Sequence, residues 1–392
     1  MRILHLTTFL QGGAGRAIVD LALDQRQAGS DVSVVASNTG APGYGNYDAY
    51  VRELEDRGIP VSLVDSMFSR DHASNLAVVG LLDRQFARGE EPDVIHSHAA
   101  IPSLVGLLFA GSRRRPTALV HTMHGWGLRK TPDQVETDIA LLNLVDRVAV
   151  ASRHSADTLV ALGVGASRIE VVPYGIREGL PPLESRDRLA LDAMDRARAQ
   201  GAIVAACVGT IGPRKNQTLL VDALARVRSR AKVFAVFAGD GDVEGLRAAV
   251  DAAGVGQETW IHGYSPAARS LAAHADLLVL PSLSEGQPIA ILEAFCDRLL
   301  VAVSDIPELA ELVEDGFTGF RFTSGDAASL ADVLAHVFTL APSTHCDIQD
   351  RSRSLYLARF ATSAMTTAYR HVYDSVRFAP SGANQSPVPS AA

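Results

Sequence analysis

The chain has 392 residues, 47% hydrophobic and 20% charged, and a net charge of −8. That length favours two domains with a core each, and the acidic balance excludes nucleic-acid binding through a broadly basic surface. Cys207, Cys296 and Cys346 are far apart and lack metal-ligand spacing, no apolar stretch is long enough to span a bilayer, and Met1-Arg2-Ile3-Leu4-His5 opens as a strand rather than a signal peptide. A cytoplasmic protein is expected.

Residues 3–9 read as a buried strand, Gln11-Gly12-Gly13-Ala14-Gly15-Arg16 as a glycine-rich turn, residues 17–28 as a helix closed by Gly29, and 32–35 as a second strand. The glycines do not fall as G-x-G-x-x-G, and the second strand ends Ala36-Ser37-Asn38 without an acid, so an NAD or FAD oxidoreductase is not expected. Residues 40–50, rich in Gly, Tyr, Asn and Pro, read as a loop. A short strand ends at His96-Ser97-His98, with His96 expected in or near the core. The apolar run 104–109 leads into Arg113-Arg114-Arg115; a helix packed on the sheet is favoured here over one lying on an anionic membrane. The next strand ends at His121-Thr122-Met123-His124-Gly125, at the carboxyl edge where open α/β sheets bind ligands. His121 is read as structural, sharing the His124 face but deeper. Residues 146–152 read as the last strand of this half, with Ser152 capping the next helix.

Prolines and a charged, alanine-rich helical pattern over 178–200 mark a boundary region. A fresh buried strand at 203–209, the loop 210–217 and a helix over 218–227 then repeat the strand–loop–helix start, so the chain carries two Rossmann-like halves. A strand at 233–239 precedes Asp240-Gly241-Asp242. This looks like a manganese-holding D-x-D pair, but here it reads as a turn in which Asp242 caps a helix from Val243. The apolar run 277–280 ends at Pro281-Ser282, Glu285-Gly286 forms a turn, and Pro288 stands at the expected first helical residue. A helix start after such a turn presents backbone amides suited to a phosphate. Glu285 in the turn and Glu293 inside the helix can hold two parts of one ligand. Helices are expected over 326–340 and 365–376, then a Ser, Pro and Ala tail at 379–392 read as disordered.

Glu285-Gly286 with Glu293, between a strand ending in Pro-Ser and a helix, resembles the E-x7-E signature of the retaining family 4 glycosyltransferases (glycosyl transferases group 1). Further motifs in the right order extend the resemblance over nearly the whole chain. It implies the α/β GT-B fold, two Rossmann-like doubly wound domains facing each other across a cleft. Residues 1–180, completed by a helix near 365–378, would form the acceptor side, and residues 181–364 the donor side. By the resemblance, Glu285 contacts donor-sugar hydroxyls and Glu293 the ribose, while Gly286, Gln287, Pro288 and Ile289 face the diphosphate. His124-Gly125 matches the His-Gly pair whose histidine reaches the donor sugar beside the reacting carbon.

Lys215 matches the lysine that clamps the diphosphate. The family's usual arginine after the preceding glycine is Thr210 here, and Arg214 could supply the charge. Gly12 and Gly13 match the first loop, Gly263 and Tyr264 the strand end that meets the nucleobase, and Arg16 and His98 are acceptor-side candidates. Tyr174 stands where the family usually has Asn, and Asp305 and Ile306 where it often has glycines. The activity implied is retaining transfer from a nucleotide-diphosphate sugar, a UDP-sugar ahead of a GDP-sugar, with no cofactor and no metal. The acceptor would be a carbohydrate or lipid-linked saccharide in bacterial cell-surface polysaccharide or glycolipid synthesis, with peripheral contact at the inner membrane face. Two alternatives stand beside it: a nucleotide-sugar epimerase of the same fold, and a non-catalytic sugar-nucleotide binding protein. A glycan phosphorylase would need a lysine-bound pyridoxal phosphate, and nothing in the sequence resembles that site.

Overall fold

The computed structural model describes residues 1–38, 45–65, 70–86, 90–113, 116–126 and 130–377. The chain divides into two compact units, Met1–Val172 with the helix Thr362–Arg377, and Pro173–Ala361.

In the first unit, strands β1 (Arg2–Thr7), β2 (Asp31–Ser37), β3 (Val61–Val64), β4 (Val94–Ser97), β5 (Ala118–Met123), β6 (Arg147–Val150) and β7 (Ile169–Val171) form one parallel sheet. Their order is β3-β2-β1-β4-β5-β6-β7, so the winding reverses between β1 and β4. Two expectations are corrected here. The strand at 146–152 is not the last of this half: a further short strand, Ile169–Val171, pairs with β6. The helix read from Ala17 begins at Gly12 and runs to Gln27, so the glycine-rich segment is its first turn.

Alternation along the strands decides what each face carries. Register pairs His5 with His96, and His96 with Val120. Ile3 and His5, Val94 and His96, and Val120 and Thr122 therefore share one face. That face is closed by Leu21 of helix Gly12–Gln27 and by Met365, Tyr369, Val372 and Tyr373 of helix Thr362–Arg377. The opposite face, with Leu4, Leu6, Ile95 and Leu119, packs against Val105 and Phe109 of helix Ala100–Gly111. This helix is thus a core element. Arg113 just beyond it stacks over Phe109 and pairs with Asp83 at 2.7 Å, while Arg114 and Arg115 lie outside the described residues.

In the second unit, β8 (Ile203–Val208), β9 (Val233–Ala238), β10 (Thr259–Gly263), β11 (Leu277–Leu280), β12 (Leu300–Ser304) and β13 (Phe320–Phe322) form a parallel sheet in the order β10-β9-β8-β11-β12-β13. Here the reversal lies between β8 and β11. Helix Thr218–Val227 lays Leu220, Val221, Leu224 and Val227 into the same core as Ala205, Cys207 and Phe237. Burial pushes the Cys207 thiol up to about 12, so it packs as a small apolar side chain. Helix Pro342–Arg359 escapes the sequence reading for a physical reason. Its buried residues, Ile348, Ser352 and Tyr356, make a single stripe at four-residue spacing with a serine in the middle, too narrow and polar to mark an amphipathic helix. The tail at 379–392 lies outside the described residues.

Candidate active-site residues

The reversal of strand order in the second unit opens a crevice at the carboxyl ends of β8 and β11, the place where open α/β sheets take ligands. The loops leaving these two strands carry Thr210, Arg214 and Lys215 on one side, and Glu285, Gly286 and Gln287 on the other. They are joined directly: the Leu283 amide donates to the Arg214 carbonyl at 2.9 Å. Lys215 Nζ donates to Glu285 Oε1 at 2.6 Å, and Arg214 Nη1 donates to Glu285 Oε2 at 3.0 Å and to the Ser284 carbonyl at 2.9 Å. The Glu285 side chain is 5% exposed and that of Arg214 51%. Two cations therefore converge on one buried carboxylate where the resemblance expects cations and a carboxylate around one donor.

The loop after β8 is built around Gln217, whose amide nitrogen donates to the Thr210 carbonyl at 3.0 Å while its oxygen accepts from the Gly212 amide at 3.1 Å. Thr210 itself is exposed. In the loop after β11, Gln287 is buried and accepts from the Tyr174 amide at 2.5 Å, which gives the residue standing in place of the family asparagine a packed, structural setting. Pro288 is the N-cap rather than the first helical residue, and helix Ile289–Cys296 follows, with Ile289, Ile291, Leu292 and Phe295 buried. Glu293 is half-buried in this helix and lines a small depression with Val208, Arg269 and Asp297. Arg269 is bidentate to Asp297 at 2.7 and 2.8 Å. Gly263 ends β10 with φ +77°, and Tyr264 beyond it is 48% exposed. Asp242 Oδ1 accepts from the Gly245 amide at 2.9 Å, so it caps helix Val243–Ala253 as expected of a turn residue.

In the first unit, Gly12 takes a left-handed φ of +58° at the head of helix Gly12–Gln27, a conformation that favours glycine, and Gly13 follows exposed. Such a helix start leaves its first amides without intrahelical acceptors. Arg16 pairs with Asp20 at 2.6 Å and Glu53 at 2.7 Å and lies over the Tyr50 ring, so an anionic acceptor would have to compete with two carboxylates. His124 directly follows β5 and is half-buried, and His98, directly after β4, bonds to it: His98 Nδ1 to His124 Nε2 is 3.0 Å. The other nitrogen of His98 meets His5 Nδ1 at 3.0 Å. Burial drives His5 and His124 down to about 4 and His98 well below the usual histidine range, with further lowering of His98 by its histidine neighbours. All three are neutral near pH 7. His121 corrects an expectation: it stands three positions before His124, so it points to the opposite face, where its Nδ1 lies 2.7 Å from Ser103 Oγ.

Among the described residues, ring nitrogens of His5, His96 and His98 lie within 4.8 Å of one another, close enough to hold a metal ion. Each ring is already engaged. His96 Nδ1 meets Tyr373 Oη at 2.8 Å and its Nε2 meets Thr122 Oγ1 at 2.6 Å, while His5 Nε2 meets Gln25 Oε1 at 2.8 Å. A metal would have to break several of these bonds.

Two family profiles match the chain, Glycosyltransferase Family 4 over residues 11–178 and Glycosyl transferases group 1 over residues 194–351. The chain belongs to the family 4 glycosyltransferases. Among its relatives is the D-inositol 3-phosphate glycosyltransferase of Nocardia farcinica, 29% identical over 265 residues, covering 62% of this chain and 58% of that protein. The Escherichia coli UDP-Gal:alpha-D-GlcNAc-diphosphoundecaprenol alpha-1,3-galactosyltransferase is 26% identical over 262 residues, covering 63% and 67%. The alignment thus leaves out a large part of the Nocardia protein. The crystal structure of Anabaena HepE in complex with UDP and glucose superposes with a TM-score of 0.79 at 21% identity, over 96% of this chain and 100% of that one. The fold is accordingly that of the GT-B glycosyltransferases, with two Rossmann-like units.

Within this family 4 fold, sequence reasoning missed three residues that surround the candidate histidines: His5, Gln25 and Tyr373. His5, His96 and His98 did carry a signal, since even spacing along two buried strands puts polar rings on one face, but only strand register shows that these faces coincide. Gln25 lies in a helix and Tyr373 near the far end of the chain, so no local pattern links them to His124. No helix among the described residues is long and apolar enough to cross a membrane.

Proposed function

We propose that this protein is a retaining, metal-independent glycosyltransferase that moves a sugar from a nucleotide-diphosphate donor to an acceptor hydroxyl. The observation that carries the reading is the convergence of Lys215 and Arg214 on Glu285 at the strand-order reversal, beside the start of helix Ile289–Cys296. Lys215, Arg214 and the helix start hold the diphosphate and stabilise the charge it gains on leaving. Glu285 and His124 orient the sugar, and Glu293 the ribose. The acceptor oxygen enters on the face from which the diphosphate departs. One bond to the anomeric carbon forms as the other breaks, and a donor phosphate oxygen takes the acceptor proton, so no protein base is required. A UDP-sugar is the favoured donor, and a carbohydrate or lipid-linked saccharide of a bacterial cell-surface polysaccharide or glycolipid the favoured acceptor. The E. coli relative acts, by its name, on a diphosphoundecaprenol-linked sugar, which suits work in the cytoplasm against the inner membrane face.

The test is a thermal-shift panel of UDP, GDP, ADP, TDP and NAD with EDTA present. A ligand at a hundred times its dissociation constant adds about 2.7 kcal/mol, enough to move a melting point. A shift with UDP and none with NAD supports the reading. No shift with any diphosphate, or a shift with NAD alone, overturns it. Anomeric NMR of the product from the matching UDP-sugar then separates retention from inversion, and sugar conversion without acceptor identifies an epimerase.

A further inference from the structure

The hydrogen bonds around His5 and His98 form one connected network with a direction. Its hub is Gln25, buried on helix Gly12–Gln27, with its oxygen on His5 Nε2 at 2.8 Å and its nitrogen on Tyr373 Oη at 3.0 Å. An amide oxygen only accepts, so His5 carries its proton on Nε2. A neutral imidazole has one proton, so His5 Nδ1 accepts, and the proton between it and His98 belongs to His98 Nε2. His98 Nδ1 then accepts in turn, and the proton on that bond belongs to His124 Nε2. In the second arm the Gln25 amide nitrogen donates to Tyr373, and Tyr373 Oη meets His96 Nδ1, His96 Nε2 meets Thr122 Oγ1 and Thr122 Oγ1 meets Tyr369 Oη, 2.7 Å away. A hydroxyl can accept twice, so Gln25 does not set the direction of these bonds. Reversing the Gln25 amide would reverse every bond of the His5–His98–His124 arm. That arm therefore has two self-consistent states, selected by one buried carboxamide.

We propose that Gln25, acting through His5 and His98, fixes His124 as its Nε2–H tautomer with the lone pair on Nδ1. Gln25, His5 and His98 are positioning residues, and any ligand group that meets His124 Nδ1 must donate a hydrogen bond, as a sugar hydroxyl does. The functional part of this inference rests on the reading that His124 touches the donor sugar; the tautomer part does not. Two residues earlier on the β1 and β4 strands, and at Val120 of β5, the same face carries apolar side chains, Ile3, Val94 and Val120. The lowered basicity of the three histidines agrees with one proton on each ring.

The experiment is two-bond proton–nitrogen NMR on full-length protein labelled with ¹⁵N-histidine at pH 7, with His124 assigned by His124→Gln. The expected result is the Nε2–H tautomer at His5, His98 and His124. An Nδ1–H tautomer at His98 or His124 overturns the proposal. Gln25→Met removes the hub while keeping its bulk, and His124 should then show both tautomers, with kcat on UDP-sugar down between about ten- and a hundredfold. Thr122→Val cuts a buried hydrogen bond of the other arm and should leave the His124 tautomer unchanged, which separates the relay from a general loss of packing. An unchanged His124 tautomer in Gln25→Met, or mixing in Thr122→Val, refutes the relay, and wild-type turnover in Gln25→Met refutes its role in function. A wild-type protein that transfers no sugar refutes the proposed function instead, while the tautomer measurement still judges the relay.

Discussion

Glu285 without ligand is the partner of the cations proposed to hold the diphosphate, and this makes a signed prediction about Glu285→Gln. Lys215 Nζ at 2.6 Å and Arg214 Nη1 at 3.0 Å both sit on this carboxylate. A diphosphate entering the crevice must draw them away from it. A charge-assisted hydrogen bond is worth roughly 1.5–3 kcal/mol where water is excluded. The Arg214 side chain is 51% exposed, so its share is mostly screened, and Lys215, 15% exposed, carries most of the cost. Removing the competing charge should therefore favour UDP by about 1–2 kcal/mol, a tightening of roughly five- to thirtyfold. UDP lacks the sugar, so it loses nothing that Glu285 would give the donor. Isothermal titration of UDP into wild type and Glu285→Gln, at one fixed salt concentration with EDTA, reads the change directly. Turnover of the UDP-sugar should fall in the same variant. UDP affinity that is unchanged or weaker would refute the idea that diphosphate and Glu285 compete for the same cations.

Lys215→Ala should lower kcat by about a hundred- to a thousandfold while raising donor KM far less, because the lysine meets charge that grows as the diphosphate leaves; steady-state kinetics with a loss confined to KM would argue against that role. Gly239→Ala should be destabilising: a Cβ there would lie 2.0 Å from the Gly209 carbonyl oxygen, so backbone must move. A cost of about 1–3 kcal/mol lowers the melting temperature by several degrees, against no change for Gly212→Ala, where the space is open. Stability should fall with acid. His5 and His124 at about 4 and His121 at about 3 bind protons less readily than unfolded histidines near 6.5, so below that pH protons accumulate on the unfolded chain first. Each contributes a loss of up to about 1.4 kcal/mol per pH unit, starting near 6.5 and levelling off below its folded value. Urea midpoints that stay flat from pH 7 to 5 would contradict neutral buried histidines.

The parts legible in the sequence are those carried by short-range pattern. Continuous apolar runs marked β8, β9 and β11 because both faces of these strands are buried, and helix Thr218–Val227 was found at its full extent because its apolar positions repeat with the helical period. Lys215 and Glu285 were legible as well, since each sits on the loop leaving a readable strand. The glycine-rich segment misled because glycine speaks for turns, whereas here it packs a helix start: a Cβ at Gly15 would meet the Leu10 backbone at 2.6 Å.

What the chain by itself determined was therefore the class of fold, the two strand–loop–helix starts and the residues on their loops, all consequences of local periodicity and backbone preference. Tertiary structure alone decided which of those residues meet. Lys215 and Glu285 are joined because β8 and β11 are neighbours at the reversal of strand order, although they are far apart in sequence. Likewise His5, His98, His124, Gln25 and Tyr373 form one network because register aligns β1, β4 and β5 and the last helix closes over that face. Hydrogen bonds act over about 3 Å, whatever the distance along the chain, and only the packed fold sets that separation.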